Sequence, residues 1–208
     1  MSVYADDTPE YEALSYAWGD PEASVVVHVD GKSFSLTPDL AAVLRQLRRQ
    51  NITRVLWIDQ ICINQQDLEE RSAQVKYMMG SIYSRAKSTV IWLGEAAHDT
   101  HMAVNFMHGL CDALAAHEDL DTRDRFVYAG LETHIEPSQF LVPARESADW
   151  SALATLYESP WFRRLWVVQE AVLNDRAQVQ CGNITFDLRR LERFAWLSSQ
   201  HGTYVSNR

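Results

Sequence analysis

The sequence predicts an α/β fold in which a parallel sheet is flanked by helices, with β-hairpins added to it. Three observations predict it. The apolar runs "YEALSYAW" (11–18), "RVLWID" (54–59) and "STVIWLG" (88–94) have the length and continuity of strands buried on both faces. Segments of helical period separate them, so strand, helix, strand, helix, strand follow at the intervals of βαβ units. Two further β-rich stretches each break at a two-residue turn, Asp30-Gly31 and Gly182-Asn183.

The elements follow in order. "SVVVHVDGKSFSL" (24–36) is the first hairpin. Thr37 or Asp39 caps a helix reaching about Gln50, with Leu40, Val43, Leu44 and Leu47 on one face. Asp67, with Glu70 three positions on, opens a second helix as in a capping box. Its buried stripe is Leu68, Val75, Met78, Met79, Ile82 and Tyr83, ending near Ala86. Residues 100–117 read as helix, and 118–148, with Pro137 and Pro143, as a long loop or insertion. Ser159-Pro160 starts a helix that runs to about Asn174. "AQVQCGNITFD" (177–187) is the second hairpin, and a closing helix covers about 188–199.

Composition narrows the function. The 208 residues are 47% hydrophobic and 23% charged, as in ordinary globular proteins. A formal net charge of −9 repels phosphate backbones, so no nucleic-acid partner is expected. Cys62, Cys111 and Cys181 form neither a disulfide framework nor a CxxC pattern. Cys62 has no nearby His or Lys to activate it and reads as a buried structural thiol. Of the seven histidines, His98 and His101 stand at i,i+3, but without a Cys or an acid trio they predict no metal site. The first residues carry neither a basic region nor an apolar core, so no signal peptide is expected, and no apolar run approaches the roughly 20 residues of a membrane span. These features predict a cytoplasmic protein.

In open α/β sheets, ligands sit outside the carboxyl ends of the strands. Those ends carry Ser15, Tyr16, Trp18, Gly19 and Asp20 after the first strand, and Asp59, Gln60, Cys62, Asn64 and Gln65 after the second. The third ends at Gly94 and Glu95. A polar crevice is one reading of "DQICINQQD"; loop satisfaction and helix capping by Asp59 and Asn64 is the other. "SPWFRRLWVVQEAVLN" sets Glu170 among Leu165, Trp166, Val167, Val168, Ala171 and Val172, a helix that should be buried nearly all round. A carboxylate there is paired, has a raised pKa, or lines a cavity. Arg163 and Arg71 are the candidate structural partners. No GxSxG, HExxH or glycine-rich phosphate loop is present.

"YEALSYAWGD", "VLWIDQICINQQDLEERSAQVKYMMGSIYSRAKSTVIWLG" and "SPWFRRLWVVQEAVL" together resemble the fungal heterokaryon-incompatibility (HET) domain, over about residues 11–182. The resemblance implies a single domain over 1–208 and a role in the programmed cell death that follows fusion of unlike fungal cells. HET domains in turn resemble TIR domains, which implies a TIR-like, flavodoxin-like parallel sheet. Ser15, Tyr16, Gly19 and Asp20 occupy the places of the TIR first strand and loop. Trp166 and Glu170 match the TIR segment in which a Trp precedes a Glu. Val167 stands where TIR domains usually place Cys, and the 25–36 hairpin and the 118–148 stretch have no TIR counterpart.

In NAD-cleaving TIR domains that glutamate is catalytic, so the resemblance implies Glu170 as the catalytic residue and NAD as a substrate, with no cofactor. Tyr16, Trp18 and Trp166 would stack on its rings, while Asp59, Asn64 and Gln65 would orient the second ribose or exclude water. Ser15 completes the substrate-binding set. Homotypic self-association through the exposed part of the 67–86 helix would complete the site. Two competing readings stand beside this one. The chain is a non-enzymatic oligomerisation module with Glu170 salt-bridged, or a nucleotide sensor that does no chemistry.

Overall fold

The computed structural model describes residues 9–20, 22, 24–117, 146–165 and 167–200. Backbone contacts divide the chain into two compact units, one of residues 1–96 and 158–188, the other of 97–157 and 189–208.

The first unit opens with β1 (Glu12–Tyr16) and a hairpin of β2 (Val25–Val29) and β3 (Lys32–Leu36). α1 (Pro38–Leu47), the two-residue β4 (Leu56–Trp57) and a single turn, α2 (Asp59–Cys62), follow. Next come α3 (Leu68–Ala73), a π-helical turn (Gln74–Met78), α4 (Met79–Arg85) and β5 (Ser88–Gly94). The second unit supplies α5 (Thr100–His117) and α6 (Ala148–Tyr157). The first unit resumes with a 3-10 turn (Pro160–Arg163), α7 (Val167–Val172), β6 (Gln178–Cys181) and β7 (Ile184–Asp187). α8 (Leu188–Gln200) then runs into the second unit. Among the described residues no helix is long and apolar enough to cross a membrane.

The five-stranded sheet has the order β4-β1-β5-β6-β7, with β4, β1, β5 and β6 parallel and β7 antiparallel at the edge. Counting only these strands in chain order gives 2-1-3-4-5, the flavodoxin-like arrangement. β2 and β3 form a separate antiparallel pair, Val25 opposite Leu36 and Val29 opposite Lys32. Their turn puts both Asp30 and Gly31 at positive φ, the geometry of a type I′ hairpin. The predicted α/β class with added hairpins is therefore the observed one.

β1 is covered on both faces, and strand alternation decides which residue goes where. Leu14 and Tyr16 pack with Leu40, Val43 and Leu47 of α1, and with Val90 and Trp92 of β5. Ala13 points the other way, into a cluster with Met79, Ile82 and Tyr83 of α4. Two buried phenols tie that second layer to the backbone: Tyr83 donates to the Leu14 carbonyl at 3.0 Å and Tyr11 to the Ile82 carbonyl at 2.7 Å. Thr37 caps α1 by accepting from the Leu40 amide. The helix ends at Leu47, short of Gln50, where Arg54 donates to the orphaned Leu47 carbonyl at 3.0 Å and to Glu12 at 2.6 Å.

Three expectations are corrected. The strand read as 54–59 pairs over only Leu56–Trp57, because the chain turns helical at Asp59. The helix opened by Asp67, whose Oδ1 accepts from the Glu69 and Glu70 amides at 3.0 Å, does not keep one stripe. The π turn at Gln74–Met78 shifts its phase, so Met79, Ile82 and Tyr83 are buried while Leu68 and Tyr77 are exposed. The helix read as 160–174 breaks at Arg164, whose backbone is extended. Its second half is not buried all round: Leu165 is 85% and Val172 67% exposed, and only Glu170 and Ala171 of α7 are buried.

In the second unit, Ala103, Val104, Met107 and Cys111 of α5, Leu153 of α6 and Leu191 and Phe194 of α8 are buried. Phe106 meets Trp150 edge-on at 4.8 Å, and both rings lie 6.1 Å from Phe194. α6 supplies part of the predicted insertion's end; residues 118–145 lie outside those described.

Gly182, at the β6–β7 turn, has φ +54, and a Cβ there would stand 2.7 Å from the Ala96 backbone nitrogen. Gly182→Ala should therefore lower unfolding stability by about 1–3 kcal/mol. Urea denaturation checks it, and an unchanged midpoint would contradict the close approach.

Candidate functional site

A cavity of about 550 Å³ opens at the carboxyl ends of β1 and β4, where an open α/β sheet places its ligands. Every residue lining it belongs to the first unit. Ala17, Trp18 and Gly19 come from the loop after β1; Asp59, Ile63 and Gln65 come from α2 and its exit. Arg71 and Met79 enter from α3 and α4, Pro160 from the 3-10 turn, Arg164 from the link that follows it and Glu170 from α7. Gly19 holds φ +73 with its α-carbon close against Asp39, which leaves no room there for a side chain.

Glu170 is 1% exposed, and the helix break explains how it is satisfied. In a continuous helix, residues 164 and 170 would point about 120° apart. The extended backbone at Arg164 instead turns the guanidinium back, and it clamps the carboxylate with two parallel bonds of 2.8 Å, one to each oxygen. Ser15 donates its hydroxyl to Glu170 Oε2 and accepts from Trp161 Nε1 at 2.6 Å. Alternation along β1 puts Ser15 on the opposite face from Tyr16, toward α7 rather than α1. The chain thus binds both Glu170 oxygens itself.

A second set of bonds fixes the Asp59 wall. Trp18 Nε1 donates to Asp59 Oδ2 at 2.8 Å, and the Gln60 amide to Oδ1 at 2.7 Å. Gln65 donates from Nε2 to the Asp59 carbonyl at 2.8 Å. Tyr16 donates to Gln60 Oε1 at 3.3 Å, and Thr37 to the same oxygen at 3.4 Å. Burial pushes the Asp59 carboxyl above the usual carboxylate range, against the opposing pull of the Trp18 and Gln60 hydrogen bonds. Burial likewise raises Tyr16, with the Asp59 charge second, so Tyr16 stays a neutral phenol.

The structure brings Glu170, Trp18, Asp59 and Gln65 to the cavity, with Ser15 behind Glu170. It does not bring Tyr16 or Asn64 there. Tyr16 is packed in the core under α1, and Asn64 is exposed, accepting from the Gln66 amide in a local turn. Trp166 lies outside the described residues. Cys62 is exposed, not buried. Glu170's partner is neither Arg163 nor Arg71 but Arg164, which helical periodicity could not name because it presumes an unbroken helix. Trp161 was also missed; its one signal is an indole directly after the Ser159-Pro160 start. Among the described residues, no group of three His, Cys, Asp or Glu is placed to hold a metal ion.

The heterokaryon incompatibility protein (HET) family matches residues 11–170, from the start of β1 to the buried carboxylate. The chain belongs to the HET family. It is 35% identical over 198 residues to "Heterokaryon incompatibility protein 6, OR allele" of Neurospora crassa, across 84% of this chain. The HET chain spans 29% of that relative's length. No solved structure matches it.

Two outcomes follow from this geometry. Arg164→Met leaves Glu170 buried and unpaired, and should cost about 3–5 kcal/mol of stability, most of it recovered by adding Glu170→Gln. Thermal melts of the three variants check this; a double variant no more stable than the single one would refute the pairing. Asp59 has a folded-state pKa above its unfolded one, so its contribution to stability is lost as pH rises from about 4 through the raised value. Asp59→Asn should flatten that fall, measured as stability against pH; parallel profiles would overturn the assignment.

Proposed function

We propose that this HET domain is a cytoplasmic effector of fungal heterokaryon incompatibility and cell death, and that its cavity cleaves NAD at the nicotinamide–ribose bond when copies self-associate. The observation that carries the catalytic part is Glu170, a buried carboxylate on the wall of a cavity of about 550 Å³. That volume lies within the roughly 300–1,000 Å³ of small-molecule sites. The resemblance of "SPWFRRLWVVQEAVL" to the TIR segment, where the matching glutamate is catalytic, supports the same choice.

The chemistry suits a single carboxylate. As the C1′–N bond breaks, its electron pair goes to the nicotinamide ring, which leaves neutral and needs no strong acid. The ribose becomes oxocarbenium-like, as in glycoside hydrolysis. A fixed negative charge beside it stabilises that state. Water then adds at C1′ and releases its proton to solvent. Trp18, its indole held by Asp59, offers a face for ring stacking. Glu170 meets the ribose only if Arg164 swings aside, since both its oxygens are taken. Arg164 stands on the non-helical link before α7; Leu165 on that link and Val168 and Val172 of α7 are exposed. Self-association over that apolar stripe would therefore act on the link that carries the clamp.

The Arg164–Glu170 pair also favours a second reading, in which Glu170 is a structural anchor and the domain only oligomerises. Nicotinamide release from NAD by concentrated wild-type chain, beside Glu170→Gln, decides between them, with sedimentation run on the same samples. Release by wild type alone is expected. Associated wild type that releases none would establish the non-enzymatic module.

A further inference from the structure

The cavity's charges are unevenly used. Both oxygens of Glu170 are held by Arg164 and Ser15, and both of Asp59 by Trp18 and the Gln60 amide. Arg164 spends two N–H groups on that carboxylate. Arg71 differs. Its side chain lines the same cavity from α3, is exposed, and makes no ion pair or hydrogen bond with any described residue. It stands in a chain of net charge −9, whose general field disfavours anionic ligands.

We infer that Arg71 is the phosphate-anchoring residue of this cavity, so that the ligand is a nucleotide carrying a diphosphate and not a bare nucleoside. The inference rests on the reading of the cavity as a nucleotide site. A planar guanidinium with all its donors uncommitted takes two phosphate oxygens at once, which a Lys does not. Arg164 is no substitute while Glu170 holds it. The other walls match the rest of such a ligand: the Trp18 indole for a base, Gln65 for hydroxyl or amide edges, and Glu170 for a ribose. In an acidic protein, one uncommitted cation at the cavity rim discriminates by charge: a diphosphate is drawn in and an uncharged nucleoside is not.

Calorimetric binding of ADP and adenosine to the 208-residue chain and to Arg71→Met and Arg71→Lys tests this at low and at physiological salt. Wild type is expected to bind ADP roughly tenfold or more tighter than adenosine. Arg71→Met should erase that preference without changing adenosine affinity, and Arg71→Lys should keep part of it and be more weakened by salt. An undiminished ADP preference in Arg71→Met, or no binding of either compound by wild type, would overturn the inference. The readout is independent of turnover. ADP preference without nicotinamide release keeps Arg71 and removes NAD cleavage. Release with a KM for NAD unmoved by Arg71→Met keeps cleavage and removes Arg71.

Discussion

A carboxylate removed from water must be compensated, and the way Glu170 is compensated organises the cavity end of the first unit. Its partners come from three places: Ser15 from the central strand, Trp161 through Ser15, and Arg164 from the link before α7. None is near the others in sequence except the last two. The requirement to bring all of them together fixes where the chain must return after the second unit. It also explains the broken helix, since an unbroken one would aim Arg164 away. The site and the fold are in this sense one constraint.

Most of the architecture was legible because it rests on burial. β1 and β5 are covered on both faces, which leaves continuous apolar runs, and the hairpin turns carry residues suited to positive φ. What escaped was local phase. Neither Gly nor Pro stands at Arg164 or within the π turn at Gln74–Met78, so no breaker residue in the sequence announces either change. Residue types therefore pointed to the carboxyl ends of β1 and β4, where the cavity lies, and Glu170 stood out as a charge among apolar neighbours, but its partner did not. Tyr16 is instructive. Strand parity with Leu14 places it under α1, a signal present in the sequence that a motif match to the loop after β1 overrides.

The comparisons and the geometry meet at the same boundary. The HET match ends at residue 170, the carboxylate itself, while the hairpin β6–β7 that closes the sheet lies beyond it. Membership identifies the scaffold, and function has to be argued from the site grafted on it. Here the candidate site contains a clamped acid, a fixed indole and a cation that pairs with none of the described residues.

The π turn has a consequence for how the domain can vary. It sets α3 and α4 in different phases, so Arg71 at the cavity and Ile82 and Tyr83 under the sheet obey separate rules. No side chain of α3 is buried, while Met79, Ile82 and Tyr83 of α4 are bound by the core. If Arg71 anchors a phosphate, a change of ligand at that position leaves the sheet without need to repack, much as a lock is rekeyed without rehanging its door.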